Sequence, residues 1–339
     1  MRWLWLCVLA IPLFGELIDL DENPHDFVLD TKRIEIPNFP HAFNPSIIRW
    51  DGRLLLSFRN LPPQADKMKF NSDLYLIWLD DDFNPVSAPQ LLEIRRPNDP
   101  THSRAEDPRL VLIDKQLYII YSDNTDLKIT AKGFRMYRAE LYHIGDKIII
   151  QNLEKMSEWA GQNPERREKN WVPFDHKGQM LLAYNLSPHH ILRPIFGTDF
   201  LEELSCSNSQ LDWKWGWIRG GTPAIQIGDE YLSLFHSQIK MTSVHSQGKE
   251  MLHYFMGAYT FSSEYPFKIN KISPEPIRGK DFYHGLEYER YWGSIRVVFP
   301  CGLIVEDPYI YVSYGRQDHE LWVAKMDKEK LLNSLKPCK

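Results

Sequence analysis

Residues 44–59 read Asn44-Pro45-Ser46-Ile47-Ile48-Arg49-Trp50-Asp51-Gly52-Arg53-Leu54-Leu55-Leu56-Ser57-Phe58-Arg59. The order is a polar residue, a proline, an apolar run, an Asp-Gly turn, a second apolar run and a polar close. Asp-Gly between two such runs signals a β-hairpin, because the tight turn needs positive φ and these residues adopt it at little cost. The same grammar returns four more times: from Asp107-Pro108 through Asp114 to Asp123, from Asn170-Trp171-Val172-Pro173 through Lys177-Gly178 to Asn185, from Thr222-Pro223 through Gly228-Asp229 to His236, and from Phe299-Pro300 through Asp307-Pro308 to residues 315–318. Its prolines stand at 45, 108, 173, 223 and 300, intervals of 63, 65, 50 and 77 residues. Repeats of this size indicate a propeller or an array, since one hairpin cannot bury its apolar face alone.

In a hairpin, the residue that opens the first strand and the residue that closes the second lie at the same end, opposite the turn. Each repeat therefore delivers polar groups to one end of its sheet, and a radial arrangement brings them to one mouth of a central channel. The convergent set is Asn44 and Arg59; Glu106, Asp107 and Asp123; Lys169, Asn170 and Asn185; Thr222 and His236; Arg316 and Asp318. The plainer reading makes these turn and edge residues that face water.

A chain of 339 residues, 43% hydrophobic and 13% aromatic, has ample material for a large packed core, which argues against disorder. The net charge of −5, with no run of Lys or Arg, argues against nucleic acid as a partner. Arg2 is followed by an apolar stretch, Trp3 to Phe14, then Gly15 and Glu16. This stretch is too short to span a bilayer and suits a signal-peptide core, so residues 1–15 are expected to be a leader, residues 16–339 a single domain, and the protein secreted or periplasmic. If the stretch is instead an apolar first strand, the protein is cytoplasmic. Cys7 leaves with a leader, and Cys206, Cys301 and Cys338 remain; a Cys206–Cys301 or Cys301–Cys338 bridge has no local support, and no zinc spacing occurs.

Residues 20–42, rich in Asp, Pro and His, read as an irregular leading segment, and strand-like runs dominate from about Ile34 onward. Residues 154–167 read as a polar loop with one helical turn. The final stretch, Lys328–Leu335, has helical spacing, with Leu331, Leu332 and Leu335 on one face.

The strongest local motif is Ala105-Glu106-Asp107-Pro108-Arg109, preceded by Arg104. Neighbouring side chains on a strand point to opposite faces, so one carboxylate is expected to face the channel and the other to pair with Arg104 or Arg109. His189-His190 are expected to point apart and hold no metal. Gly220-Gly221 after Arg219 reads as a turn or bulge rather than an anion cradle. Trp213, Trp215 and Trp217 alternate as on one strand face, where they either pack between sheets or stack on sugars. Glu287, Glu289 and Arg290 read as a rim loop.

Glu106-Asp107-Pro108-Arg109, then Lys169-Asn170 with Val172-Pro173-Phe174, resembles the β-mannoside phosphorylases and their relatives, a family of five-bladed β-propellers that includes hydrolases and related mannosyltransferases. The resemblance continues through Leu234-Phe235-His236, residues 254–259, Ser273-Pro274-Glu275-Pro276-Ile277, Val298-Phe299-Pro300-Cys301-Gly302 and Tyr314-Gly315-Arg316-Gln317-Asp318. It implies an all-β, five-bladed propeller with a short C-terminal helix. It also implies an enzyme acting with inversion on a β-mannoside-type bond, with Asp107 as general acid, its proton relayed through a sugar hydroxyl.

Phosphorolysis needs inorganic phosphate as co-substrate and no other cofactor. Arg59, Lys169, His236 and Arg316 are the candidate anion-binding residues, and Asn44, Glu106, Asp123, Asn170, Asn185 and Asp318 the candidate substrate-binding residues. Asn185 stands where many of the phosphorylases carry arginine, and Arg316-Gln317 where small residues are usual, which points to Arg316 or His189 as a replacement cation. Hydrolysis needs a second carboxylate about 6.5–9.5 Å from the acid, for which Asp123 and Asp318 are the candidates. Phosphorolysis is useful inside a cell, so an exported chain fits hydrolysis or transfer better. The other class of reading is a non-catalytic sugar-binding propeller.

Overall fold

The computed structural model describes residues 17–61, 72–94, 104–124, 134–156, 158–160, 166–288, 293 and 295–339. The first strand, β1 (Val28–Ile34), opens no sheet of its own. The first hairpin, β2 (Phe43–Trp50) and β3 (Arg53–Asn60), is extended by β4 (Asp73–Leu79) and β5 (Gln90–Leu91) into a four-stranded sheet. A second sheet holds β6 (Glu106–Ile113), β7 (Gln116–Asp123), β8 (Arg135–Ile144) and β9 (Lys147–Met156). A third holds β10 (Val172–His176), β11 (Gln179–Leu186), β12 (His189–Pro194) and β13 (Leu201–Ser207). The fourth is built from β14 (Trp217–Gly220), β15 (Ile225–Ile227), β16 (Glu230–Met241), β17 (Met251–Ser262) and β18 (Ile269–Ile272). The fifth holds β19 (Ile295–Glu306), β20 (Tyr309–Arg316) and β21 (Glu320–Asp327), and its outer place is taken by β1, antiparallel to β21. After β21 come helix α1 (Lys328–Ser334), capped by the Asp327 side chain on the Lys330 amide, and β22 (Lys336–Pro337), which returns to β18.

The inner strands adjoin in a closed ring: β2 with β6, β6 with β10, β10 with β15, β15 with β19, and β19 with β2. The expected five-bladed propeller is therefore the observed fold. Each seam has its own apolar cluster. Leu55, Leu76, Leu117 and Ile119 fill the first, Ile120, Met136, Trp171 and Leu182 the second, and Phe174, Leu181, Tyr231 and Phe261 the third. Leu234, Phe255, Val312 and Tyr314 fill the fourth, and Ile47, Leu56, Phe58 and Val323 the fifth. Burying one such side chain contributes about 1.5–3 kcal/mol.

The prolines have a local reason. A proline lacks the N–H of a ladder, so it suits the free inner edge of a sheet, and its carbonyl still accepts. The Pro45 carbonyl accepts from Ser313 Oγ at 2.7 Å and the Pro173 carbonyl from the Ala224 amide at 3.0 Å. Both hydrogen bonds cross seams.

Several expectations need correction. Residues 20–42 are not irregular throughout, because β1 lies within them; it is a charged, largely exposed outer strand whose order comes from backbone pairing, so no apolar alternation marks it. Glu154–Met156 continue β9, and Glu158 bridges Phe200, so no helical turn occurs among the described residues of 154–167. The tryptophans do not share a strand: β14 begins at Trp217, and Gly216 at φ +91 breaks the run. Trp213 and Trp215 pack on Phe235 and Phe255 between sheets. Cys206, Cys301 and Cys338 are all free. Cys7 and the expected leader, with Glu289 and Arg290 of the rim loop, lie outside the described residues.

Candidate active site

Three of the repeats begin with a residue at positive φ: Asn44 (+50°), Asp107 (+54°) and Asn170 (+67°). Asn and Asp tolerate this region better than other side-chain-bearing residues. In the first two sheets it coincides with a break in register, between Phe43 and Ser46 and between Glu106 and Arg109. Such a bulge re-aims side chains. Glu106 and Asp107 consequently line the same cavity instead of pointing apart, which overturns the expectation from strand alternation.

That cavity, about 280 Å³, brings together Asn44, Arg59, Glu106, Asp107, Lys169 and Asp318, six of the residues singled out from sequence. Glu106 is its electrostatic centre. One carboxylate oxygen accepts from Arg59 at 3.1 Å, and the other from Arg167 at 2.8 Å and Lys169 at 3.2 Å. Burial alone would raise its pKa, but Lys169, Arg59 and Arg167 together hold it well below the usual carboxylate range. Lys169 Nζ also stands 3.7 Å from Asp107 Oδ2. Asn44 lines the cavity, and its buried Oδ1 accepts from no protein donor.

Arg109 does not pair with the adjacent carboxylates of its motif. Fully buried, it donates to the carbonyls of Asp107, Gly220 and Gly221 and to Asn170 Oδ1, linking the second, third and fourth sheets behind the site. Gly220 and Gly221 are glycines because a Cβ at either would lie 2.3 Å from the Asn170 carbonyl oxygen or 2.5 Å from that of Leu234. The pair serves close packing.

A second cavity, about 390 Å³, shares Lys169 with the first and holds Asn170, Asn185, Arg166 and Arg219. Sequence reasoning undervalued the arginines. Arg219 is pulled down to about 10, first by burial and then by the neighbouring Arg166 and Arg167. Its place directly before the glycine pair of the fourth repeat was the available signal. Trp217, exposed and under the Arg219 guanidinium at 4.9 Å, lies on the rim of the same cavity. Tyr254 and Phe299, quoted above for the repeat and the resemblance but not as site candidates, also line the first cavity.

Three expected site residues are placed elsewhere. His236 is buried behind the cavities, its Nδ1 donating to the Gly220 carbonyl at 2.9 Å and its ring 4.4 Å from that of Phe299. Burial, then Arg219, Arg109 and Lys169, hold it far below the ordinary histidine range, so it is neutral and supplies no positive charge. Arg316 donates to Glu320 at 2.6 Å and to the Asp281 carbonyl, and lies over Trp322, facing away from the shared cavities. Asp123 Oδ1 accepts the amides of Arg104 and Asn124, which makes it a loop-holding residue. His189, the other proposed replacement cation, is buried among Tyr259 and Phe261 with a pKa lowered to about 4 by burial. The positive charge beside Asn185 comes from Arg166 and Arg219. Among the described residues no cluster of three or more His, Cys, Asp or Glu is placed to hold a metal ion.

The family model for β-1,4-mannooligosaccharide phosphorylase matches residues 16–337 of the chain. A 1,2-β-oligomannan phosphorylase of Thermoanaerobacter sp. (strain X514) is 26% identical over 244 residues, 66% of this chain and 68% of the relative. Among solved structures, the β-1,2-mannobiose phosphorylase of Listeria innocua, in complex with β-1,2-mannobiose, aligns with a TM-score of 0.55 at 16% identity over 94% of this chain and 96% of its own. Another aligns with a TM-score of 0.61 at 14% identity over the same shares; it comes from work on GH130 glycoside hydrolases that target β-1,2 mannosidic linkages in Candida mannan.

Proposed function

The chain belongs to the β-1,4-mannooligosaccharide phosphorylase family, enzymes that act on mannosides by phosphorolysis or hydrolysis, and on that premise we propose that it cleaves a β-mannosidic bond by inverting phosphorolysis with Asp107 as general acid. The observation that carries the choice of phosphate over water is the concentration of cations at the wall between the two cavities. Lys169, Arg166, Arg167 and Arg219 crowd there, and Arg219 is burdened by its like-charged neighbours. A phosphate dianion relieves that repulsion and offers each of them a charge-assisted hydrogen bond.

In this reading the sugar occupies the cavity with Asn44 and Asp318, with Tyr254 and Phe299 offering ring faces to the pyranose. A phosphate oxygen attacks the anomeric carbon from the side of Lys169, Arg166 and Arg219. The bond from that carbon to the glycosidic oxygen breaks, and the leaving oxygen takes the proton supplied by Asp107, directly or through a sugar hydroxyl. The products are α-mannose 1-phosphate and the shortened acceptor. Glu106 holds Arg59, Arg167 and Lys169 in place and does not itself react. Hydrolysis is the second reading, favoured by one observation: Asp318 lines the same cavity as Asp107 and is a carboxylate that could activate water.

The test is incubation with β-1,2- and β-1,4-mannobiose, with and without inorganic phosphate, following mannose 1-phosphate and free mannose. Phosphate-dependent mannose 1-phosphate is expected. Free mannose released at the same rate without phosphate would falsify phosphorolysis in favour of hydrolysis.

A further inference from the structure

On the outer half of the third sheet, Cys206 is exposed on β13 and lies directly opposite His190 of β12 in the ladder. The His190 Nε2 stands 3.3 Å from Cys206 Sγ, and its Nδ1 stands 2.9 Å from Glu203 Oε2. Glu203 and Cys206 are three residues apart, and in a regular strand they would point to opposite faces. The register between β12 and β13 shifts at this point, so that Ile191 faces Ser205 while Leu192 faces Glu203. The extra residue, Leu204, turns both side chains to the same face. The bulge is what assembles the group.

From this we infer that Cys206, His190 and Glu203 form an activated-thiol site that undergoes thiol–disulfide exchange with low-molecular-weight disulfides. The carboxylate of Glu203 accepts the Nδ1 proton and so fixes the imidazole tautomer, leaving the Nε2 lone pair directed at the thiol. Burial and the negative charge of Glu203 push the Cys206 thiol up from its ordinary value. Reactivity therefore comes from proton acceptance by His190 during attack and does not require a standing thiolate. The Cys206 sulfur attacks one sulfur of the disulfide, its proton passes to His190 Nε2, the S–S bond breaks, and the leaving thiolate takes up that proton. The product is a mixed disulfide on Cys206 and one equivalent of free thiol. The Trp159 and Tyr184 rings lie 5.7 and 6.3 Å from that of His190, and Tyr184 lines the cavity that holds Arg166 and Arg219. An adduct on Cys206 is thus one aromatic layer from the anion-binding wall.

The folded protein is treated with a chromogenic aryl disulfide; released aryl thiolate gives the rate, and peptide mass spectrometry gives the site. A single fast adduct on Cys206 is expected, lost in Cys206→Ser and retained in Cys338→Ser. His190→Asn keeps an amide near the Nδ1 position but removes the base, and is expected to slow Cys206 by roughly 100-fold, within the usual range for general-base assistance; Glu203→Gln is expected to slow it by roughly tenfold or more. The buried Cys301 reports folding, since a misfolded variant labels there as well; in that case the comparison passes to Glu203→Gln. A Cys206 rate that stays within about twofold in the folded His190 and Glu203 variants, or a fast adduct elsewhere, overturns the inference.

Discussion

Glu106 is the residue on which the site's charge balance turns. It is the common partner of Arg59, Arg167 and Lys169, and removing one member of a buried ionic cluster leaves the others uncompensated. Glu106→Gln is therefore expected to lower unfolding stability by about 3–5 kcal/mol, measured by urea denaturation; a change under about 1 kcal/mol would show that the cations find other partners. Asp107 has a different kind of importance. Asp107→Asn preserves shape and the Arg109 clamp on its carbonyl while removing the proton, so turnover is expected to fall by roughly 10²–10⁴-fold with mannobiose binding retained; unchanged turnover would remove Asp107 from its role. The sequence made Asp107, Asn44, Lys169 and Asp318 legible because the repeat grammar marks hairpin ends. It misjudged the relation of Glu106 to Asp107, since alternation assumes a regular strand. The recurrence of Asn or Asp at Asn44, Asp107 and Asn170 was the clue to the irregular backbone there, these being the residues that accept positive φ.

At the scale of elements, turn chemistry and apolar runs were enough to find the hairpins, and insufficient where backbone pairing alone orders a strand. β1, with Asp30, Lys32 and Arg33 exposed or half-exposed, carries no apolar period. The contribution of Gly220 was equally hidden, because it lies in what another sheet places beside it. Gly220→Ala puts a methyl 2.3 Å from the Asn170 carbonyl oxygen and 2.5 Å from Val172 Cγ2. A loss of roughly 1–3 kcal/mol or more is expected by thermal unfolding, with a matching loss of turnover as the Arg109 clamp is displaced; full stability would mean that the third and fourth sheets separate freely.

β12 offers a pH-dependent test. Burial keeps His189 neutral in the fold down to about pH 4, whereas in the unfolded chain it protonates near 6.5. Between those values the unfolded state binds more protons, so stability falls as pH drops through the window, by up to about 3 kcal/mol from this residue, and no further below it. His189→Gln is expected to shrink the difference between urea midpoints measured at about pH 7 and about pH 4.5; an unaltered difference would place the acid sensitivity elsewhere.

The whole molecule is a ring closed by its own ends: β1 from the beginning of the described chain completes the sheet formed by β19, β20 and β21. Phe27 and Ile34, both 3% exposed, flank that closure. Removing residues through Ile34 exposes the β21 edge and sacrifices roughly 3–6 kcal/mol from those two side chains alone. The shortened chain is expected to unfold at lower urea and to self-associate in light scattering; an unchanged midpoint and a monodisperse sample would show that β1 is dispensable.

The five seams are not mechanically equivalent. Between the fourth and fifth sheets, β17 and β19 pair in parallel, Leu252 with Ile295, His253 with Arg296 and Tyr254 with Val297, and four of these residues, Leu252, Tyr254, Ile295 and Val297, line the cavity of Asp107. One wall of that cavity is therefore laced by main-chain ladders across two sheets, while another part of its lining is tied by the ion pairs of Glu106. Burial shields both kinds of tie from salt, but only the ionic one is lost when a single charge is removed. In Glu106→Gln the ionic wall is expected to loosen while the laced wall holds, so amide exchange across 252–254 and 295–297 is expected to stay slow there; fast exchange at both would show that the ladders lean on the ion pairs.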